Sequence, residues 1–465
     1  MSYLDAAVLL GATMLATMWW SARAGRRWLR GGAVLVAAAC ALQLLVEDAY
    51  WQFAPLYALL LAMSALVFRA RSDRAASRLS RTVVAILSLV ALSPWMMFLP
   101  VPQLPAPRGP YGVGTDVFRW IDEGRAEAAT DDPRDRRHIV VQVWYPAEAG
   151  ARGPSPPYID GLGHLPTFVS LIPSVAMRRY DRIDTHAVGG APLAAAKQRW
   201  PVVLFSPGYG APRAFYTGVT ADLASRGFVV LAVDHPYESA VTELADGRVV
   251  TPRERFLPDD PDRTRYMSVQ LEVRTADLLS VLERISQPVG LGERLRDRLD
   301  LERIAAAGHS FGGASAVAMM AQDQRIAAAA NIDGTLYAPL PDQQLRRPFL
   351  LLESDHEDSG HSRRFFDGNQ RLMDNLLGAG YRFEIDAANH YSFTDAPLFF
   401  SPPARFALAM WLGGRRGPQD TQRATGDILV AFLTASLGLS PADVEAAAAR
   451  HGEIRGGRLF RPPSQ

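Results

Sequence analysis

The sequence predicts an α/β fold, a mostly parallel sheet covered by helices on both faces, preceded by about four transmembrane helices. Long apolar runs separated by arginine-rich segments fill residues 1–101. Over 115–465, strand-like apolar segments alternate with amphipathic helix-like ones, the pattern of parallel sheets. Between them, 102–114 is rich in proline and glycine and is predicted to be a semi-rigid linker.

Composition excludes several classes of function. The formal net charge is +1, which gives no electrostatic reason to expect a nucleic-acid partner. Arginine supplies nearly all the basic residues, as in a GC-rich bacterial genome. Lys197 is the single lysine and has no serine three positions before it, so a Ser-x-x-Lys catalytic pair is excluded. Cys40 is the single cysteine, which excludes an internal disulfide and a cysteine zinc site.

Membrane spans need about 20 residues. The first and fourth N-terminal apolar runs approach this length, whereas the second and third reach it only if their flanking residues are included. The four predicted spans are 6–22, 31–46, 53–68 and 82–101. Arginines crowd the segments between the first and second spans and between the third and fourth. Arginine-rich loops stay in the cytoplasm. The pattern therefore predicts a multi-pass protein of the bacterial cytoplasmic (inner) membrane, with residues beyond 101 on the periplasmic side.

Anchoring is the role expected of these spans. No ionisable residue lies near the middle of any of them, and such residues usually mark a transport path. A cleaved signal peptide is disfavoured because the opening "MSYLD" lacks the positive charge that such peptides carry.

Three polar residues follow predicted strands, at the edge where parallel sheets carry their chemistry. The strands are predicted at 304–307, 327–332 and 381–386, and they precede Ser310, Asp333 and His390. Helices are predicted at 217–225, 267–285, 314–321 and 363–377, and further strands at 138–146, 201–206, 227–234 and 348–353.

Ser310 lies in the stretch "AAAGHSFGGASAVAMM", between an apolar strand and a helix. A serine on such a sharp turn is exposed to both a base and a substrate. The strand and helix approach so closely that the positions two before and two after must be small, which accounts for Gly308 and Gly312. The motif and its context predict a nucleophile elbow.

A histidine base and a carboxylate complete such a site, in the order nucleophile, acid, histidine. His390 is the candidate base, because imidazole titrates near neutral pH. Asp333 is the candidate acid that orients it. Asp355 also follows a strand and is a rival acid that spacing alone does not exclude. The nearby His356, Glu357, Asp358 and His361 lack metal-ligand spacing and are interpreted as a solvated polar loop.

Two backbone N–H groups are candidates for an oxyanion hole. Phe311 directly follows the serine, and Tyr209 lies in the glycine-rich turn "LFSPGYGAPR" at the end of an early strand. His309 flanks the serine and is interpreted as a packing residue that points away from the reaction.

These motifs together resemble the plasma-type platelet-activating-factor acetylhydrolases, a group of α/β-hydrolases. The resemblance rests on "VVQVWYP", "PVVLFSPGYGAPRAFYTGVTADLASRGFVVLAVDH", "GHSFGGAS", "NIDG" and "NHYSF", within about residues 110–400. It implies an α/β-hydrolase fold, a calcium-independent serine esterase without metal or cofactor, and Asp333 as the acid. It also implies short or truncated acyl substrates, as for a 1-alkyl-2-acetylglycerophosphocholine esterase.

The sequence departs from that group at Pro207, where a histidine is frequent, and in its membrane spans, which the secreted animal members lack. Bacterial relatives include general esterases. Insertions at 154–193 and 236–265 are expected either to cover the active site or to pack on the scaffold.

The expected function is hydrolysis of short-chain or truncated acyl esters, with phospholipid-derived esters among them, through an acyl-enzyme. The expected partners are a small-molecule or lipid ester and the membrane; protein partners are not predicted. Two alternatives stay open at this stage. One is an amidase or peptidase on the same triad, and the other is a catalytically silent, membrane-anchored binding module.

Overall fold

A computed structural model describes most of the chain as two compact units. The described residues are 3–21, 25–47, 51–69, 78–99, 101–169, 172–177, 179–253, 262–287, 291–295, 297–357 and 359–459. The N-terminal unit comprises Met1–Pro102, Val175–Arg179 and Phe399–Ala407. The sheet unit comprises Gln103–Ser174, Tyr180–Leu398 and Leu408–Gln465.

Four long helices build the N-terminal unit. They are α1 (Tyr3–Ser21), α2 (Arg26–Glu47), α3 (Ala54–Arg69) and α4 (Arg78–Met97). Small and apolar side chains such as Ala12, Ala33 and Met63 are buried where the helices meet. Leucines such as Leu35 and Leu45 point outwards, 72% and 84% exposed. Apolar side chains on both the inner and the outer faces are typical of helices surrounded by lipid.

Each of the four predicted spans falls on one of these helices, which differ in the length of their apolar stretch. Three stretches, Tyr3–Ser21, Arg26–Glu47 and Trp51–Phe68, are long and apolar enough to cross a membrane. The apolar part of α4 is shorter, Ser80–Pro94, because arginines begin the helix and Pro94 interrupts its end. Residues 22–24 and 70–77, which hold part of the arginine-rich loops, lie outside the described residues.

The sheet unit is built on one large sheet with helices on both sides. The strands of the chain are β1 (Gly112–Ala126), β2 (Arg136–Ala147), β3 (Phe168–Val169), β4 (Ile172–Pro173), β5 (Val188–Gly189), β6 (Trp200–Ser206), β7 (Val229–Asp234), β8 (Thr242–Glu243), β9 (Val249–Val250), β10 (Leu299–His309), β11 (Ile326–Ile332), β12 (Phe349–Ser354), β13 (Gly380–Ile385) and β14 (Ile454–Leu459). The remaining helices are α5 (Thr217–Ser225), α6 (Arg263–Ile285), α7 (Gly292–Leu295), α8 (Phe311–Gln322), α9 (Arg363–Asn375), α10 (Pro402–Ala407), α11 (Ala409–Leu412), α12 (Pro418–Ser436) and α13 (Val444–Ala449).

Ten strands form this sheet, in the order β14-β13-β12-β11-β10-β6-β7-β2-β1-β5. The central neighbours from β13 to β7 pair in parallel, whereas β14 is antiparallel to β13, and β2 is antiparallel to both β7 and β1. The mostly parallel architecture is the predicted one. It brings the carboxyl ends of β10, β11 and β13 to one edge, where the candidate site lies.

Alternate residues along the strands belong to two hydrophobic cores, one on each face of the sheet. On β6, Val202 and Leu204 pack with α6 and α8, while Val203 and Phe205 pack with α5 and α12. This follows from the two-residue period of a strand, whose side chains point to opposite faces. The sheet is therefore buried on both sides, as the near-continuous apolar central strands predict.

Some elements differ from the sequence prediction. The predicted linker overlaps β1, which begins at Gly112, and Arg108 pairs with Asp222 at 3.1 Å. The first insertion supplies the β3–β4 ribbon and the edge strand β5, and the second supplies the β8–β9 ribbon. Residues 170–171, 178 and 254–261 of these insertions lie outside the described residues.

Candidate active site

The turn between β10 and α8 places Ser310 in a strained conformation. Its φ of 55° and ψ of −124° lie in a backbone region that residues other than glycine rarely adopt. A Cβ added to Gly308 would lie 2.2 Å from the carbonyl oxygen of Gly312, and one added to Gly312 would lie 1.9 Å from that of Ser206. Only glycine allows this close approach of strand and helix, which presents the Ser310 hydroxyl at the sheet edge.

Three predicted residues meet at this edge. The Nε2 atom of His390 lies 2.9 Å from the Oγ of Ser310, and its Nδ1 atom lies 2.7 Å from the Oδ2 of Asp333. Asp333 is buried, whereas His390 is partly exposed. When Nδ1 carries a proton and donates a hydrogen bond to the carboxylate, Nε2 is free to accept the serine proton. The arrangement can therefore turn a hydroxyl into a nucleophile.

The structure separates the two candidate acids. The Asp355 carboxylate accepts hydrogen bonds from the backbone N–H groups of Ala387, at 2.7 Å, and Glu357, at 2.9 Å. Asp355 thus joins the loops after β12 and β13. The carboxylate that lies within hydrogen-bond distance of His390 is that of Asp333.

A second histidine, His361, which no pattern in the sequence predicts as a site residue, also contacts Asp333. Its Nε2 lies 2.9 Å from the Oδ1 of Asp333, and its ring stacks on Phe365 with centroids 3.7 Å apart. The Ser354 hydroxyl and N–H donate to the same carboxylate, at 2.9 and 2.8 Å. Burial alone would raise the pKa of Asp333, but the hydrogen bonds from His361 and His390 hold that pKa well below its usual range. Asp333 is therefore ionised.

The expectation of a solvated polar loop around His361 is thus wrong for that residue, whose side chain is only 10% exposed. His356 faces Glu353 and Glu384 at 3.5 Å, and Asp358 lies outside the described residues. His361 lies in the loop after β12, whereas Asp333 follows β11. No motif spacing in the sequence could have predicted their contact.

His309, interpreted from the sequence as a packing residue, is buried, and it also supports the loop that carries the base. The hydroxyl of Tyr216 lies 2.8 Å from its Nδ1, and its Nε2 lies 2.9 Å from the carbonyl oxygen of His390. A carbonyl only accepts hydrogen bonds, so Nε2 carries the proton and Nδ1 accepts from Tyr216. Burial, and then the nearby His390, lower the pKa of His309 to about 3, so its ring is neutral.

The two predicted oxyanion donors lie beside Ser310. A Cβ built on Gly208 would lie 3.2 Å from the Cβ of Ser310, so the glycine-rich turn approaches the serine closely. The N–H of Gly208 donates to the Tyr216 hydroxyl at 2.9 Å, and Tyr209 carries the next N–H along the chain. Phe311 begins α8, where the first backbone N–H groups have no partner within the helix.

Comparison with known proteins gives one consistent result. The family model described as platelet-activating factor acetylhydrolase, isoform II, matches residues 96–272 and 281–452. A probable 1-alkyl-2-acetylglycerophosphocholine esterase of Arthroderma benhamiae is 25% identical over 63% of this chain and 76% of its own length. The platelet-activating factor acetylhydrolase of Cavia porcellus is 24% identical over 56% of this chain and 62% of its own length.

A solved structure extends the similarity to the fold. The ferulic acid esterase of Streptomyces cinnamoneus superimposes with a TM-score of 0.64 and 30% identity, covering 76% of this chain and 99% of that protein. The sheet, the elbow and the sequence matches lead to the same assignment. The chain belongs to the isoform II family of platelet-activating factor acetylhydrolases, with the α/β-hydrolase fold.

Proposed function

We propose that the chain is a membrane-anchored serine esterase that cleaves short-chain or truncated acyl esters, including those derived from phospholipids. The family and the esterase relatives support the reaction class, carboxylic ester hydrolysis. The observation that carries the mechanism is the hydrogen-bonded chain of Ser310, His390 and Asp333. It needs no metal or cofactor.

Acylation begins when the Ser310 hydroxyl attacks the ester carbonyl carbon while its proton passes to Nε2 of His390. The carbonyl oxygen becomes an oxyanion, which the N–H groups of Tyr209 and Phe311 stabilise. His390 then gives the proton to the departing alcohol, and the acyl group stays on Ser310. The ionised Asp333 holds Nδ1–H and stabilises the imidazolium that forms.

Deacylation repeats these steps with water in place of the serine hydroxyl. His390 takes a proton from the water, and the hydroxide attacks the acyl carbon. Collapse of the second tetrahedral intermediate releases the acid, and the proton on His390 returns to Ser310. The same two N–H groups stabilise both oxyanions, so each contributes to both chemical steps.

Hydrolysis of p-nitrophenyl esters from acetate to palmitate tests this function. We expect full-length protein in detergent to hydrolyse acetate and butyrate fastest, with rates that fall steeply for long acyl chains. The Ser310→Ala protein, measured in parallel, is the control for background hydrolysis. Equal rates in the two proteins would contradict the esterase and favour a binding module, and a preference for palmitate would contradict the short-acyl assignment.

We further propose that the sheet unit lies on the periplasmic side of a bacterial inner membrane. The arginines between the first and second predicted spans, and those between the third and fourth, support a cytoplasmic location for both segments. The sheet unit then reaches the periplasm only if α4 also crosses. Its 20 residues, Arg78–Met97, give about 30 Å of helix, close to the thickness of the hydrocarbon layer.

Reporter fusions at the C-terminus decide this orientation in a Gram-negative host. We expect an alkaline phosphatase fusion to be active, because phosphatase folds only in the periplasm, and the matched green fluorescent protein fusion to be dark. The opposite pair of results, an inactive phosphatase and a fluorescent fusion, would mean that only three helices cross and that the sheet unit is cytoplasmic.

A further inference from the structure

Arg274 of α6 lies buried against the turn that carries the candidate oxyanion donor Tyr209. Its side chain is 1% exposed. The guanidinium donates to the backbone carbonyl oxygens of Pro207, at 2.5 Å, and Gly208, at 3.1 Å. It also donates to the Ser206 hydroxyl at 3.1 Å. One arginine thus contacts three consecutive residues, the last residue of β6 and the first two of the turn.

The contact with Gly208 determines where the Tyr209 N–H points. The carbonyl of Gly208 and the N–H of Tyr209 belong to one planar peptide group, and this group is trans. In a trans peptide the two bonds point in opposite directions. A guanidinium that holds the carbonyl therefore fixes the rotation of the peptide and directs the N–H away from Arg274. Because the donor is charged, the hydrogen bond is also strong.

Arg274 reaches the second candidate donor as well. Its guanidinium carbon lies 4.8 Å from the ring centroid of Phe311, within the range of a cation–π contact. The ring of Phe311 in turn contacts that of Tyr209, with centroids 6.0 Å apart. The same cation therefore contacts the peptide group that carries the Tyr209 N–H and the side chain of Phe311.

Buried partners hold Arg274 itself in place. Glu238 accepts from its Nε at 2.8 Å and pairs with its Nη2. The Ser206 hydroxyl, which accepts from Arg274, lies 3.0 Å from Nε2 of His235, whose Nδ1 lies 2.9 Å from Asp277. This second serine–histidine–aspartate arrangement is fully buried, so it cannot receive a substrate. Its contacts suit it to hold the turn rigid.

We propose that Arg274 is the positioning residue of the oxyanion hole: it aligns the Tyr209 and Phe311 N–H groups before the substrate arrives. The inference rests on the proposed esterase function. Preorganised donors account for much of the rate of such enzymes because nothing needs to rotate as the charge develops. Arg274 acts through the turn and does not touch the reacting atoms.

Two variants test this proposal against a purely structural role. Arg274→Lys keeps the charge but loses the planar fork. Arg274→Gln/Glu238→Gln replaces the buried ion pair with a neutral hydrogen-bonded pair, so no buried charge is left without a partner. The matched control is Arg347→Lys, since Arg347 also donates to backbone carbonyls, those of Asp323 and Ile326, but at the opposite edge of the sheet.

The measurements are kcat and KM for p-nitrophenyl acetate, inhibition by a trifluoromethyl ketone, and thermal unfolding. A trifluoromethyl ketone forms a hemiketal whose oxyanion occupies the same hole as that of the transition state. Fluorophosphonate titration to completion counts the active molecules in every preparation. If the wild-type protein is not labelled, the esterase proposal itself fails, and that outcome is distinct from a failure of the Arg274 proposal.

We expect the double variant to lose about 10²-fold in kcat, the effect of removing one oxyanion donor, and Arg274→Lys to lose about 10-fold. The inhibition constant should rise by the same factor in each variant, while KM changes little. Arg347→Lys should change only the unfolding temperature. Variants of Arg274 that unfold earlier but keep the wild-type kcat and inhibition constant would overturn the proposal.

Discussion

Replacing Ser310 with alanine is expected to lower kcat for ester hydrolysis by about 10⁶-fold, the loss typical of a serine nucleophile. Nε2 of His390 would then have no hydroxyl to activate, and no acyl-enzyme could form. The residual rate reports only the oxyanion donors and substrate binding. Initial rates with p-nitrophenyl acetate, measured at matched concentrations of folded protein, provide the comparison.

A serine on the adjacent helix provides the control for this substitution. The Ser315 hydroxyl donates to the carbonyl oxygen of Phe311 within α8 and is fully buried. Ser315→Ala removes the same atom from the same part of the fold, and we expect it to keep activity close to that of the wild type. If Ser310→Ala kept comparable activity, the nucleophile would have to be another residue and the mechanism would be wrong.

Replacing Asp333 with asparagine is expected to lower kcat by about 10⁴-fold while leaving the protein folded. Asparagine has nearly the shape of aspartate, but its amide group cannot stabilise an imidazolium. Where its NH₂ faces Nδ1 of His390, it also favours the tautomer with the proton on Nε2, which cannot accept from Ser310. The split between kcat and KM for a short ester, together with a thermal unfolding curve, measures the effect.

The rival acid supplies the matched control. Asp355→Asn removes a carboxylate that accepts from backbone N–H groups of two loops, so we expect a small loss of stability and an almost unchanged kcat. The reverse pattern, with a large loss of kcat in Asp355→Asn and little in Asp333→Asn, would transfer the role of the acid to Asp355.

The fold, the family and the class of enzyme predicted from the sequence are confirmed. The prediction succeeded where short-range patterns decide structure. Apolar runs such as 201–206 form buried central strands, and the glycines around Ser310 encode a close approach of backbone atoms. The order of the polar residues that follow β10, β11 and β13 is enough to place them at one edge of a parallel sheet.

Weak local patterns explain the elements that the sequence did not predict. β1, Gly112–Ala126, mixes charged and apolar residues and breaks its register with β2 between Asp122 and Ala126. The edge strand β14 has two glycines and two arginines among its six residues. Both strands form because neighbouring strands offer backbone partners, and that information is not local.

Side-chain contacts between residues that are far apart in the chain could not be predicted from the sequence. His361 meets Asp333 across 28 positions, and Arg274 meets Gly208 across 66. Periodicity places Arg274 on a helix, but only the packing of α6 against the sheet brings it under the oxyanion turn. The catalytic roles of Ser310, Asp333 and His390 remain predictions that the geometry makes specific.

The site of covalent labelling by a fluorophosphonate shows directly whether Ser310 is the nucleophile. Full-length protein in detergent is treated with the reagent, and its intact mass is measured by mass spectrometry. Proteolytic digestion and peptide mapping then locate the adduct. We expect one adduct per chain on the peptide that contains Ser310, and none on the Ser310→Ala protein. An adduct on another residue, or folded wild-type protein that stays unlabelled, would contradict this role of Ser310.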